Sequence, residues 1–281
     1  MNLPFQVDLT GKVAVVTGAG GILMSEFARA LAASGAKVAL LNRSDDVTRQ
    51  IAQELGEDVA LSVKVDCTKK DSIIEAKKAV NEKFGKVDIL INGVGGNSPK
   101  ATTDCETMPT PEQLERFEGK TFFDLDPAGL DFVFNINIIS AFLVTQVFSP
   151  DMIGRGGNVI NISSMNAYRP LTKIPVYSAA KAGITNFTQW LAVHFAPCNI
   201  RVNAIAPGFF ATKQNAALLY NEDGSPTERT KKILSRTPMG RFGETKELLG
   251  AMLWLVCDEA SSFVTGTTLA VDGGFSSYSG V

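Results

Sequence analysis

Short apolar segments alternate with longer amphipathic segments along the whole chain, and this alternation restricts the fold strongly. The short segments are rich in β-branched residues, carry apolar side chains at successive positions and are bounded by glycine or polar residues. Strands of this kind are buried on both faces, as in a parallel sheet covered by helices. The pattern predicts strands at residues 12–17, 37–41, 60–65, 89–92, 158–162, 201–205 and 268–271.

Helical patterns separate these strands, with Gly35 and Gly85 as C-terminal stops. The predicted helices cover residues 24–33, 71–84, 177–195 and 246–257. Strand and helix therefore alternate, which predicts an α/β fold: a single doubly wound parallel seven-stranded sheet of the Rossmann type, with helices on both faces.

The 281 residues contain no internal repeat, linker or compositional break, so one domain over residues 1–281 is predicted. Two segments, residues 97–131 and 209–237, interrupt the strand–helix rhythm with prolines and mixed charge. Both would leave carboxyl ends of strands, where open α/β sheets bind ligands. We expect them to form substrate-side walls or a lid, with plain surface insertions as the alternative.

The charge balance argues against nucleic acid and anionic membranes as partners. Lys and Arg number 27 against 29 Asp and Glu, a net charge of −2. The four cysteines are far apart, the single histidine is His194, and the N-terminus lacks a basic region followed by an apolar stretch. We therefore expect a cytoplasmic protein without a metal site. The uncharged residues 132–150 include several polar side chains and predict a buried helix rather than a membrane span.

A glycine-rich turn follows the first predicted strand, where the sequence reads TGAGGILM. Gly18, Gly20 and Gly21 would let the backbone turn tightly and approach a pyrophosphate. Ile22 and Leu23 begin the next helix, whose free N–H groups and positive dipole end attract phosphate. The turn predicts a dinucleotide site, although Leu23 replaces the third glycine of the general G-x-G-x-x-G pattern.

The residue after the second strand discriminates between the two nicotinamide dinucleotides. An acidic side chain there binds the ribose 2′-OH of NAD, whereas arginine accommodates the 2′-phosphate of NADP. The sequence has Asn42 and Arg43, which favours NADP, unless Arg43 is a solvated surface charge. Further candidate cofactor contacts are Asp66 and Cys67 after the third strand and Asn92, Gly93 and Val94 after the fourth.

Tyr177 and Lys181 are four residues apart, which places them on one face of a helix. A cation beside a phenol favours its ionised form and should lower the tyrosine pKa towards that of a useful acid/base catalyst. Ser164 lies just past the fifth strand, at the carboxyl edge of the sheet. Its hydroxyl could hold a carbonyl oxygen while Tyr177 gives or takes the proton.

These motifs, in their order and spacing from residue 9 onwards, resemble the short-chain dehydrogenase/reductase family. The resemblance implies that Tyr177 is the general acid/base, Ser164 holds the carbonyl and Lys181 bonds the nicotinamide ribose. It also implies that Asn137 anchors a water-linked proton relay. Two departures are Ile22 and Met24 at the last two loop glycines, and N-G-V-G in place of N-N-A-G. Further cofactor contacts implied by the resemblance are Pro207, Gly208, Phe210 and Thr212.

Within this family, segments such as NISSMNA, TPMGRFG and VDGGFSSYSG resemble the D-mannonate oxidoreductase (fructuronate reductase) branch. The resemblance implies reversible reduction of D-fructuronate to D-mannonate, with NAD the commoner cofactor. Because Arg43 favours NADP, the cofactor remains NAD(P). Alternatives are an activity like gluconate 5-dehydrogenase or 3-oxoacyl-carrier-protein reductase, or a non-catalytic dinucleotide-binding regulator.

A sugar acid needs a cation for its carboxylate and several hydroxyl partners. Candidate residues are Arg169 or Lys173 for the carboxylate and Asn97, Asn166 and Gln214 for the hydroxyls. The helix over residues 177–195 carries apolar side chains around more than one stripe, so a second buried face against another subunit is expected. The resemblance implies a homotetramer.

Overall fold

The computed structural model describes residues 7–212 and 216–280, and these ranges form a seven-stranded parallel sheet in the order β3-β2-β1-β4-β5-β6-β7. Each predicted strand is confirmed to within two residues. The strands are β1 (Val13–Thr17), β2 (Lys37–Asn42), β3 (Ala60–Lys64), β4 (Ile89–Asn92), β5 (Gly157–Ile162), β6 (Ile200–Pro207) and β7 (Thr268–Val271).

The four predicted helices are present as α1, α3, α7 and α10, the last preceded by a 3₁₀ turn over Thr245–Leu248. Gly35 and Gly85 follow α1 and α3 with φ of +96° and +88°, a conformation that glycine adopts readily. The α-helices are α1 (Ile22–Ala33), α2 (Asp46–Leu55), α3 (Lys70–Phe84), α4 (Pro111–Leu114), α5 (Pro127–Phe134), α6 (Ser140–Phe148), α7 (Pro175–Phe195), α8 (Ala216–Leu219), α9 (Glu228–Ser235), α10 (Leu249–Val256) and α11 (Asp258–Ser261).

Helices cover both faces of the sheet, which explains why the strands are apolar at successive positions. On one face, Ala14 and Val16 of β1 belong to a core built with α1, α2 and α10. On the other face, Val13 and Val15 belong to a core built with α3, α6 and α7. The doubly wound Rossmann-type fold is confirmed.

Strand β1 pairs with β2 on one side and β4 on the other, so the polypeptide changes direction across the sheet between them. Ligands of open α/β sheets bind at such a switch point, beyond the carboxyl ends of the strands. The segments 97–131 and 209–237 follow β4 and β6, and a salt bridge of 2.7 Å between Lys232 Nζ and Glu106 Oε1 joins them. The two segments therefore meet on the ligand-binding side of the sheet.

The segment Pro127–Met152 forms a continuous helical stretch in which α5 and α6 are joined by a π-helical turn over Asn135–Ile139. Among the described residues it is the one helix long and apolar enough to cross a membrane, and half of its most apolar window is buried. Core helices of soluble proteins pass the same test. The predicted buried helix is thus only partly buried, because side chains such as Phe132 and Phe142 are exposed.

Candidate active site

The turn between β1 and α1 contains close contacts that only glycine permits. Gly18 has φ of +69°, and a Cβ at this position would lie 3.0 Å from the carbonyl oxygen of Gly93. A Cβ on Gly20 would lie 2.6 Å from Asn42 Nδ2. Gly21 precedes α1, and no side chain of the described residues caps this helix start. Its free N–H groups therefore face a backbone cradle suited to a phosphate.

A groove of about 720 Å³ runs from this cradle across the carboxyl ends of the neighbouring strands. Its volume and its glycine-lined end fit a dinucleotide. Most of the predicted cofactor residues line it: Gly18, Gly21, Ile22, Leu23, Asn42, Arg43, Asp66, Cys67, Gly93 and Val94. One side of the groove is closed by residues of the helical stretch that the sequence pattern did not predict, namely Phe132, Asn135 and Ile136.

The end of the groove near β2 and β3 is polar. Asn42 Nδ2 donates to the Ser44 carbonyl at 2.6 Å, and Arg43 lines the same groove as Asp66. The pKa of the Asp66 carboxyl is lowered, chiefly by hydrogen bonds from Thr68 and to a smaller degree by nearby cations including Arg43. Burial raises the pKa of the Cys67 thiol to about 12, so it meets a ligand as a neutral thiol.

One contact links two departures from the family patterns, Met24 in the glycine loop and Gly93 after β4. A Cβ on Gly93 would collide with the Sδ atom of Met24 and would lie 2.7 Å from the Thr17 carbonyl oxygen. Met24 therefore occupies space that a side chain at position 93 would need. The bulky residue in the loop and the missing side chain after β4 compensate for each other.

Some predicted cofactor residues lie outside the groove lining. The Asn92 amide donates to Thr145 Oγ1 at 2.9 Å and to Asn161 Oδ1 at 2.8 Å, which ties β4 to α6 and β5. The ring of Phe210 packs on Gly243, where a Cβ would lie 2.5 Å from it, and lines a separate cavity of about 90 Å³. The Asn92 amide thus joins neighbouring elements of the core, and the Phe210 ring packs on Gly243.

The carboxyl end of β6 carries the predicted Pro207-Gly208 pair. The Gly208 amide donates to the Val271 carbonyl at 2.9 Å, and a Cβ on Gly208 would lie 2.6 Å from Asp272 Cα. A glycine is therefore required for β6 to approach the end of β7. Thr212 is partly buried at the end of the first described range.

Ser164, Tyr177 and Lys181 come together at the carboxyl end of β5. Ser164 precedes a short 3₁₀ turn, Met165–Ala167, and its hydroxyl lies close enough to the Tyr177 hydroxyl to act on the pKa of that phenol. Lys181 lies one helical turn beyond Tyr177 on α7. Its Nζ donates to the Ile162 carbonyl at 2.8 Å and lies 5.6 Å from the centroid of the Tyr177 ring.

The π-helical turn between α5 and α6 places Asn137 beside this cluster. Asn137 Nδ2 donates to the Gly96 and Val133 carbonyls at 2.7 and 2.8 Å, and Gly96 N donates to Asn137 Oδ1 at 3.2 Å. A Cβ on Gly95 would lie 2.6 Å from Asn137 Oδ1 and 3.0 Å from Lys181 Nζ. Gly95 therefore allows Asn137 and Lys181 to approach each other. Such π-helical turns recur at functional sites.

Burial dominates the protonation of the cluster. It raises the pKa of the Tyr177 phenol, and the hydrogen bond with Ser164 only partly opposes this shift. It also lowers the pKa of the Lys181 ammonium to about 8. This direction is the opposite of the one expected from Lys181, because burial of the phenol outweighs the other effects on it and Lys181 Nζ bonds the Ile162 carbonyl. At neutral pH the phenol is therefore a proton donor.

The predicted substrate residues Asn166 and Lys173 lie on the segment between Ser164 and Tyr177. Asn166 is buried in the turn after Ser164, and its backbone N donates to Ser164 Oγ at 3.2 Å. Lys173 is exposed, and its charge contributes to lowering the pKa of the Glu106 carboxyl, after the larger effect of Lys232. Lys173 thus stands where the segments 97–131 and 209–237 meet.

The contacts of Arg169 and Asn97 are with other parts of the surface. Arg169 is exposed and lines a shallow surface pocket with Tyr168, Ala270 and Ser276, beside the outer strand β7. Asn97 is exposed and donates to Thr102 Oγ1 at 2.9 Å. Gln214 lies outside the described residues.

Comparison with known proteins places this constellation in a family. A family model described as enoyl-(acyl carrier protein) reductase matches residues 23–276, which include Asn137, Ser164, Tyr177 and Lys181. The chain belongs to the short-chain dehydrogenase/reductase family. As a member of this family it is an NAD(P)-dependent oxidoreductase.

Relatives cover the whole chain. An uncharacterized oxidoreductase from Haemophilus influenzae is 51% identical over 285 residues, covering 100% of this chain and 99% of that protein. A solved structure from Haemophilus influenzae, provisionally described as a D-mannonate oxidoreductase with bound NAD, is 50% identical over all of both chains with a TM-score of 0.92.

A gluconate 5-dehydrogenase from Burkholderia cenocepacia, in complex with NADP and tartrate, is 28% identical with a TM-score of 0.80 and covers 98% of this chain and 99% of that one. Structural neighbours therefore bind either nicotinamide dinucleotide. This supports a nicotinamide dinucleotide as the cofactor here and leaves the choice between the two open.

Proposed function

We propose that this protein interconverts D-mannonate and D-fructuronate. In the oxidative direction a secondary hydroxyl of D-mannonate becomes a carbonyl, NAD(P)⁺ becomes NAD(P)H, and one proton is released. The observation that carries the proposal is the pair of neighbouring Ser164 and Tyr177 hydroxyls beside the groove, which is lined by Ile162, the residue whose carbonyl accepts from Lys181 Nζ. The similarity to the structure described as a D-mannonate oxidoreductase supports the choice of substrate.

Each residue of the site has its own role when the carbonyl is reduced. The Ser164 hydroxyl donates a hydrogen bond to the substrate carbonyl oxygen, and Tyr177 transfers its phenolic proton to that oxygen. The bound nicotinamide supplies the hydride. The Lys181 ammonium, 5.6 Å from the ring centroid, stabilises the phenolate that remains. Asn137 holds the backbone at Gly96 and supports the proton relay that the family resemblance implies.

A polar and basic mouth supports a sugar acid as the substrate. We assign the carboxylate to Lys173, which lies between Ser164 and Tyr177 in the chain and whose charge acts on Glu106, in preference to Arg169 beside β7. Asn166 is the hydroxyl partner with the strongest support, because it adjoins Ser164. Asn97 is a more distant candidate.

Two considerations favour different cofactors. Arg43 lines the groove and favours the 2′-phosphate of NADP. The similarity to a structure with bound NAD favours NAD. We therefore propose NAD(P) as the cofactor, with rates measured for each dinucleotide to decide between them.

The proposed function is tested by initial rates of oxidation with D-mannonate and D-gluconate, and of reduction with a 3-oxoacyl thioester, using each dinucleotide. We expect the highest kcat/KM with D-mannonate. A higher value with D-gluconate or the thioester would transfer the assignment to the corresponding alternative. A protein that binds NADH but turns over none of these compounds would be a dinucleotide-binding regulator.

We also propose that the protein is a cytoplasmic homo-oligomer, with a tetramer as the family resemblance implies. On α7, Trp190 and Val193 are 57% and 79% exposed, and Ile139 and Phe142 are exposed on the neighbouring helical stretch. Exposed apolar patches of this kind mark interaction surfaces. Light scattering after size-exclusion chromatography should show a multiple of 30.0 kDa that decreases in Val193→Arg. A monomeric wild-type protein would contradict the proposal.

A further inference from the structure

The side-chain oxygen of Asn166 is buried without the hydrogen bond that a buried amide oxygen normally accepts. Asn166 is 3% exposed, and its Oδ1 atom has no partner among the described residues. Leaving a buried acceptor unpaired is unfavourable, and the large majority of buried polar side chains avoid it. An amide in this state is suited to a partner that the folded protein does not itself provide.

The position of Asn166 indicates where that partner comes from. Its backbone N–H donates to Ser164 Oγ at 3.2 Å, so the residue directly adjoins the hydroxyl that holds the carbonyl oxygen. The turn Met165–Ala167 packs against α7, which carries Tyr177, and against β6. Asn166 thus lies two residues after Ser164, in a turn that packs against the helix of Tyr177.

We propose that Asn166 is a specificity residue whose amide binds a hydroxyl on the carbon next to the one that is oxidised or reduced. A hydroxyl donates one hydrogen bond and accepts others, and an asparagine amide offers both an acceptor and two donors. This inference rests on the proposed polyhydroxy acid substrate. A site built to bond a substrate hydroxyl also rejects analogues that lack it, because its own polar group then stays unpaired.

The test variant Asn166→Leu removes the amide, and Asn81→Leu is its matched control. Asn81 lies on α3, and its Oδ1 atom is likewise buried without a partner, but α3 carries no residue of the catalytic cluster. Replacing an unpaired amide by an apolar side chain is not expected to lower the melting temperature in either variant. Asn166→Ala serves as a second variant in case leucine is too large for this position.

The readouts are kcat/KM for D-mannonate, the dissociation constant of NADH and inhibition by trans-4-hydroxycyclohexanecarboxylate, a hydroxy acid without a neighbouring hydroxyl. We expect Asn166→Leu to lower kcat/KM about 10- to 100-fold, the range of a lost hydrogen bond that leaves a polar group unpaired. NADH affinity and inhibition by the cyclohexane acid should stay at wild-type values. Asn81→Leu should match the wild type in every readout.

An unchanged kcat/KM in both Asn166 variants would overturn the inference and assign the amide to a bound water only. Equal losses for D-mannonate and for the cyclohexane acid, with a lower melting temperature, would overturn it in favour of a structural role. If the wild type oxidises D-gluconate instead of D-mannonate, the proposed function fails and Asn166 is scored on D-gluconate. If no polyhydroxy acid is oxidised, both proposals fail.

Discussion

The two halves of the catalytic cleft are built in different ways. The cofactor groove is formed by the ends of buried strands and by glycines whose neighbours lie within about 3 Å of where a side chain would begin, as at Gly18 and Gly20. The substrate mouth that we propose consists of exposed side chains such as Lys173 on the loop after Ser164, and of the segments 97–131 and 209–237. Backbone sterics require glycines and buried strands at defined positions, so the groove can be predicted from the sequence. Exposed side chains follow no such pattern, so the mouth cannot.

The largest effect is expected where the two halves meet. Tyr177→Phe removes the phenolic proton that the Ser164–Tyr177 pair delivers to the substrate oxygen, and should lower kcat by about 10²- to 10⁴-fold, the usual contribution of general acid/base catalysis. The dissociation constant of NADH, measured by fluorescence titration, should stay near the wild-type value. Retention of wild-type turnover would show that the chemistry lies elsewhere in the cleft.

The next largest effect concerns stability and pH through Lys181, which is 3% exposed. Burial lowers its pKa from 10.5 to about 8, so between these values the folded protein has released a proton that the unfolded chain retains. The free energy of unfolding should therefore rise with pH across this window, by about 1.4 kcal/mol per pH unit and about 3 kcal/mol in total.

Urea unfolding of the cofactor-free protein from pH 7 to 10.5 measures this contribution. The matched variant Lys181→Met has no ammonium, so its free energy of unfolding should lack this rise. Parallel pH profiles for the wild type and the variant would contradict the assignment of a desolvated ammonium at this position.

A steric test of the cofactor groove uses Met24 and Gly93. Gly93→Ala introduces a Cβ that collides with Met24 Sδ and crowds the Thr17 carbonyl, and overpacking of this kind destabilises by about 1–3 kcal/mol. The affinity for NADH should fall together with the stability. Adding Met24→Ala should restore part of the loss, because the contact with Thr17 remains.

Gly96→Ala is the control for this pair, since a Cβ on Gly96 has no neighbour within 4 Å. It should leave the melting temperature and NADH affinity unchanged. Additive effects of Met24→Ala and Gly93→Ala would show that the two residues do not compensate for each other.

The smallest effect is expected at the mouth. Glu106→Gln removes the exposed salt bridge with Lys232 and an acidic neighbour of Lys173, so the KM for an acidic substrate should fall by less than about tenfold. The melting temperature should not change. At about 1 M NaCl, where the screening length is about 3 Å, the difference from the wild type should disappear. A difference that persists in high salt would mean that the residue acts through packing instead of charge.

The groove and the mouth also differ in how far they could be predicted. The strands, the glycine turn and the Tyr177–Lys181 spacing depend on local patterns, because strand burial, tight turns and helical faces each involve residues close in sequence. The sequence showed Met24 and Gly93 as separate departures from a pattern. It did not show their compensation, because Met24 on α1 and Gly93 after β4 come into contact only in the folded protein.

The sequence by itself determined the fold and the dinucleotide cradle, and it predicted the residues that we propose carry the chemistry. Only the tertiary structure decided that Asn92 and Phe210 turn into the packing, that Lys173 stands at the mouth while Arg169 lies beside β7, and that Gly95 lets Asn137 approach Lys181. It also decided the direction of the Tyr177 pKa. These properties depend on burial and on contacts between residues distant in the sequence, and a local sequence pattern contains no record of either.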